Sequence, residues 1–166
     1  MELTIRNYTI AQKSEKFDIL VPCDSSVELK FSYVDFETKE TPKKKLTVKF
    51  ALNQSNDELS EFNFVNFKNT DLIFFRYTYQ WGIIDFKTKQ LKRNIIDKSL
   101  DFPFFYLHDN CILVIDDSFA ETITFDGETI DKISNEQPHE MNEHEDYFEF
   151  DIIGIEKRKL SKFHKR

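Results

Sequence analysis

The chain has 166 residues, 40% of them hydrophobic and 15% aromatic, and a formal net charge of -7. That is enough apolar material for one core, so a single domain over residues 1–166 is expected. Only three glycines accompany 18 phenylalanines, which leaves almost no material for Gly-rich phosphate-cradling loops and argues against a nucleotide-binding fold of that type.

In chain order, residues 3–10 read as an edge strand, and Phe17, Ile19 and Val21 as a short strand stopped by Pro22. Val27, Leu29, Phe31 and Tyr33 alternate with Glu28, Lys30 and Ser32, and Leu46, Val48, Phe50 and Leu52 with Thr47, Lys49 and Ala51. Each series predicts a strand with one wet face, joined across residues 38–45 by a hairpin connection containing Pro42. Ser55 and Glu58 have capping-box spacing, which predicts a short helix ending near Phe62. Residues 71–84 read as one long central strand with Ile73, Phe75, Tyr77, Tyr79 and Trp81 on a single face and a bulge at Gly82. Those rings are expected in the core, in preference to a base-stacking platform.

Residues 34–39, 84–89 and 125–130 are alike, each pairing an Asp with turn-forming polar residues; the last contains Asp126-Gly127, a strong hairpin signal. Their spacing resembles propeller blades, but the chain is too short for four blades, and three similar hairpins are expected. His108-Asp109-Asn110 predicts a further turn between strands at 104–107 and 111–115. Residues 134–146 read as a polar, acidic loop, residues 147–155 as a strand, and the basic tail 157–166 as a short helix or a frayed end. The expected fold is mainly β, with a β-rich α+β variant as the alternative. Its antiparallel sheets would form a sandwich or partly open barrel with one or two short helices.

Cys23 and Cys111 are expected as free thiols packed as small hydrophobes. The first residues lack the features of a secretory signal, and the aliphatic run 112–115 is too short to span a bilayer. Cytoplasmic location without membrane contact is therefore expected. Charge is asymmetric: residues 116–151 hold thirteen acidic residues against one lysine, a segment of -12 that leaves +5 for the rest. Such a block on one face repels nucleic acid and attracts basic proteins. Lys43 to Lys45 and the tail are alternative phosphate contacts, but overall acidity argues against nucleic-acid recognition.

No reaction is named by a motif. His139 and His144 lie five apart, about 140° around a helix, and cannot share one metal ion there. His108, Asp109 and Cys111 form only a local turn, and adjacent Asp116 and Asp117 would point to opposite faces of a strand. No metal, cofactor or catalytic set is predicted.

Small size, a clustered acidic segment, an aromatic β-scaffold and the lack of catalytic residues give the chain a general character that resembles immunity proteins of bacterial polymorphic toxin and contact-dependent growth inhibition systems. The resemblance implies an inhibitor that neutralises a cognate toxin, a basic protein such as a nuclease. The contact surface is expected at Asp126, Glu128, Glu140, Glu143, Glu145, Asp146 and Glu149. The alternatives are a small β-domain enzyme or ligand-binding protein with a pocket near His108 and Cys111, and an accessory domain pairing through the N-terminal strand.

Overall fold

Alternating apolar residues become fifteen strands among the described residues of the computed structural model, and the backbone folds into two compact units, Met1–Ile96 and Asp97–Arg166. The structure describes residues 1–9, 16–24, 30–39, 41–52, 58–68, 70–77, 79–134, 138–152 and 157–164, with the backbone alone for Thr9, Pro138, His139 and Ile152. The mainly antiparallel β class expected from sequence is observed, in four sheets of which none closes into a barrel.

The first unit holds β1 (Glu2–Thr9), β2 (Ile19–Val21), β3 (Lys30–Glu37), β4 (Lys45–Leu52), β5 (Phe64–Asn66), β6 (Leu72–Tyr77), β7 (Gln80–Asp85) and β8 (Gln90–Ile96). One sheet runs β1-β3-β4-β2, with β2 parallel to β4, and the other is the meander β5-β6-β7-β8. The two sheets share one core. Leu46, Val48, Phe50 and Leu52 form the fully buried row of β4, facing Ile73, Phe75 and Tyr77 of β6. The Phe50 ring meets Phe64, Phe75 and Tyr77 edge-on, with centroids 5.5, 5.3 and 5.9 Å away, an arrangement favoured by ring quadrupoles.

Three expectations in this unit are corrected. The alternation in β3 is real, but its faces are exchanged. Val34 and Phe36 enter the core, pairing with Val48 and Leu46, while Tyr33 and Phe31 lie on the outer face. There Tyr33 packs against Tyr8 and Lys49 covers the Phe31 ring. Asp35, on that outer row, is almost fully buried and receives hydrogen bonds from Arg6, Lys45 and Thr47. Burial pushes its carboxyl up, but those three donors outweigh it and hold the group at about 2.

Residues 71–84 form a hairpin, β6 and β7, in place of one strand, with Tyr79 in the left-handed region at φ 60°. Reversal exchanges the face after the turn: Trp81 pairs with Arg76 and leaves the row of Phe75 and Tyr77. Gly82 sits opposite Phe75, and a Cβ there would stand 2.2 Å from the Arg93 carbonyl oxygen. Close approach explains the glycine, and the register shift falls one residue later, between Ile83 and Ile84. Of the helix expected from Ser55 to about Phe62, the described residues 58–60 are not helical and a 3-10 turn stands at Glu61–Asn63. Ser55 lies outside the described residues, and it is Ser60 whose N–H donates to Asn63 Oδ1 at 2.7 Å.

The second unit holds β9 (Phe104–Leu107), β10 (Ile112–Asp116), β11 (Phe119–Ile123), β12 (Thr129–Ser134), β13 (Pro138–Glu143), β14 (Tyr147–Ile152) and β15 (Arg158–Ser161). The meander β9-β10-β11-β12 and the sheet β13-β14-β15 enclose Cys111, Leu113, Ala120, Phe148, Phe150 and Leu160. Two expectations change here. Within the segment expected as a loop, Pro138–Glu143 is strand β13, and within the basic tail Arg158–Ser161 is strand β15; both pair with the apolar strand β14. Neither has an apolar alternation of its own, and each gains its ladder from β14. Residues 135–137 and 153–156 lie outside the described residues.

The turn residues 84–89 and 125–130 occupy equivalent places, each joining the third and fourth strands of a four-stranded meander. The third similar segment, 34–39, leads into the connection between β3 and β4. The likeness is thus one of hairpins.

Candidate protein-binding surface

The charge asymmetry follows the division into units. Met1–Ile96 contains fifteen basic and thirteen acidic residues, whereas Asp97–Arg166 contains eight basic and seventeen acidic residues, a net -9. The second unit's topology then decides where that charge gathers.

In an antiparallel meander, alternate turns lie at the same end of the sheet. The β9–β10 turn at 108–110 and the β11–β12 turn at 124–128 therefore share one end, about 10 Å apart at ordinary strand spacing. The β13–β14 turn at 144–146 joins them, because Glu143 at the end of β13 lies beside His108, its Oε1 accepting from Nδ1 at 3.1 Å. Each turn is closed by its own backbone: His108 N–H donates to Cys111 O at 3.0 Å, Thr124 N–H to Glu128 O at 2.8 Å, and His144 N–H to Tyr147 O at 2.9 Å. Gly127, at φ 86°, supplies the left-handed residue required by the middle turn. The Thr124 hydroxyl oxygen accepts from the Asp126 and Glu128 N–H groups.

The result is one end bearing exposed Asp109, Asp126, Glu128, Glu145 and Asp146. Asp109, Glu128, Glu145 and Asp146 have no ion pair among the described residues. Leu107 and Phe125, 37% and 40% exposed, sit beside these carboxylates in sequence, and Phe163, 43% exposed, follows Lys162, whose N–H donates to the Asp146 carbonyl oxygen at 2.9 Å. Of the seven residues expected at a contact surface, Asp126, Glu128, Glu145 and Asp146 are gathered here. Asp109 and the apolar side chains were missed because each is unremarkable alone; the alternating-turn rule is the signal that links them.

The other three expected residues have different surroundings. Glu143 is an internal tie: Lys162, only 7% exposed, donates to its Oε1 at 2.7 Å, and that hydrogen bond, with His108 nearby, lowers the Glu143 carboxyl below its ordinary value. Glu149 and Glu140 lie on the outer face of the three-stranded sheet, with Asp151 and with Lys157 and Lys159 of the basic tail. Lys157 donates to Glu149 at 2.8 Å, lowering the carboxyl and raising the ammonium. Folding thus cancels part of the acidic segment with the tail, on that face.

His108 and Cys111 are brought near Glu143 and Lys162, but the arrangement is not that of a thiol nucleophile. Cys111 has no exposed surface, and burial pushes its thiol up, against the pull of Lys162 and with the push of Glu143. A raised, covered thiol supplies little thiolate. His108 packs its ring against Phe148 with centroids 4.7 Å apart. Asp116 caps the β10–β11 turn, accepting from the N–H groups of Asp101 and Ser118, while neighbouring Asp117 is exposed. His144 stacks on Tyr147, and among the described residues no three His, Cys, Asp or Glu side chains are grouped to hold a metal ion. No helix among the described residues is long and apolar enough to cross a membrane. No protein-family model, curated protein or solved structure matches the chain.

Proposed function

We propose that the protein is a protein-binding inhibitor that engages a basic partner through the acidic turn end of its second unit. The observation that carries this reading is the convergence of three turns, which concentrates five exposed carboxylates in a unit of net charge -9. Carboxylates of this kind steer a basic surface into place and set the rate of encounter, while exposed Leu107, Phe125 and Phe163 supply desolvated anchors once contact is made. A nuclease must hold phosphates and so presents a basic cleft that such a surface covers. The partner in this reading is a cognate toxin acting in the cytoplasm, and the protein is its immunity protein.

The test is co-expression with the product of the adjacent reading frame, read by co-purification and by rescue of growth. A complex and rescue are expected; neither appearing overturns the proposal. Within a complex, replacing Asp126, Glu128, Glu145 and Asp146 together by Asn or Gln should slow association roughly tenfold at low salt and flatten its salt dependence. The same change at Glu140 and Glu149 should leave the association rate nearly unaltered. Equal effects from the two sets would show bulk charge acting in place of the turn end.

A further inference from the structure

The first unit carries a feature of opposite sign. Described residues from three of its connections, those following β3, preceding β6 and following β7, line an open cleft of about 670 Å³, within the usual range for small-molecule sites. Lys44, Lys45, Lys87 and Lys89 line it, and Asp71 is the one carboxylate among its described lining residues. A neighbouring hollow shares Thr38 and Asp71 and adds Lys39 and Lys68. Gathering like charges around a concavity costs stability in a chain that has acidic residues to spare, because each ammonium raises the potential felt by the others.

The four lysines divide into two pairs. Lys45 and Lys89 are held from behind: Lys45 by Asp35 at 2.9 Å, and Lys89 by Asp18 at 2.8 Å, whose hydrogen bond lowers the Asp18 carboxyl. Lys44 and Lys87 are exposed and have no ion pair among the described residues. The Thr38 hydroxyl oxygen accepts from the Lys44 N–H at 2.9 Å, which leaves its proton to donate to a ligand. Phe86, nearly buried, adds an apolar wall.

We propose that this cleft binds a phosphorylated small molecule, with Lys44 and Lys87 contacting phosphate and Lys45 and Lys89 adding fixed positive charge. Phosphate is favoured over carboxylate because a phosphoryl group carries close to two negative charges on three acceptor oxygens, which several separate lysine point charges and the lining hydroxyls can share. A nucleic-acid strand is disfavoured by the chain's overall charge of -7.

The test is isothermal titration of the full chain in low salt with three probes: inorganic pyrophosphate, ATP, and citrate as a carboxylate of similar charge. Binding of pyrophosphate or ATP is expected, and citrate should bind at least tenfold more weakly. The K44Q/K87Q variant should weaken the phosphate probe by roughly tenfold, two exposed charge contacts being removed. Lys43→Gln is the control, since Lys43 is exposed, pairs with Glu2 and Glu37, and is outside the described lining; its affinity should match the parent. Asp71→Asn should tighten binding, which keeps the proposal testable if the double variant folds poorly. No heat with either phosphate probe, equal citrate affinity, or an equal loss in the Lys43→Gln control overturns it.

Discussion

The two units answer their buried carboxylates differently. In the first, Asp35 is met by two cations and a hydroxyl, Arg6, Lys45 and Thr47. In the second, nearly buried Asp116 accepts from neutral donors, the N–H groups of Asp101 and Ser118 and the Ser118 hydroxyl. A neutral donor satisfies an acceptor without cancelling its charge. The charge of Asp35 is thus offset inside the first unit, whereas that of Asp116 is left standing in a unit of net -9. The difference explains how similar β-sandwich frameworks can present opposite chemistry, a lysine-lined cleft in one and an acidic end in the other.

The comparison can be followed unit by unit, because the single tryptophan, Trp81, is buried in the first unit and Cys111 is buried in the second. Trp81 fluorescence in urea reports the former, and Cys111 reactivity toward a thiol reagent reports the latter. The largest expected loss is from Phe50→Ala, which removes a ring packed against three others. It should cost about 3–5 kcal/mol in the Trp81 transition, and a loss below about 1 kcal/mol would show that Phe50 is not central to the core. Gly82→Ala should follow at roughly 1–3 kcal/mol, since the added methyl group meets the Arg93 carbonyl and the Phe75 ring and forces backbone or ring to move.

Asp35→Asn comes next, and its effect depends on pH. The folded carboxyl lies at about 2, below its ordinary 3.8, so its contribution is present above about pH 4 and is lost as pH falls toward 2. At neutral pH that contribution is roughly 2 kcal/mol. The variant should lack both this stabilisation and the corresponding step in an acid titration followed through Trp81. A step of equal size in the variant would assign the acid sensitivity to other groups.

These positions also show where sequence was informative. The β4 row of Leu46, Val48, Phe50 and Leu52 was legible because its alternate residues are polar or small, so only one face suits the core. In β3 both rows contain apolar residues, Phe31 and Tyr33 on one side and Val34 and Phe36 on the other; the choice between them was made by pairing with β4. The β6–β7 reversal lacks Gly, Pro or Asn at its tip and uses Tyr79 at positive φ, which removed the usual turn signal. Strands β13 and β15 depend on β14 and could not be read from their own residues. For the candidate surface, the acidic turns at 126–128 and 145–146 were legible, but their convergence depends on which sheet ends meet.

The smallest effects separate Glu143 from Glu149, two acids from the same segment with similar apparent pairing. Glu143 restrains Lys162, whose side chain is 9% exposed and whose ammonium lies 4.7 Å from the Phe148 ring centroid, next to the core that contains Cys111. Glu143→Gln should leave that ammonium without its carboxylate partner, lower the urea midpoint of the second unit and speed Cys111 modification. Glu149 pairs with Lys157, which is 55% exposed, and water can replace either partner. Glu149→Gln should therefore leave midpoint and thiol reactivity unchanged. Both carboxyls are depressed below their ordinary 4.5, so each pairing stabilises above that pH and weakens as acid is added. The Glu143 variant should flatten the acid dependence of Cys111 protection and the Glu149 variant should not; matching profiles would mean that depth around Lys162 does not distinguish the two acids.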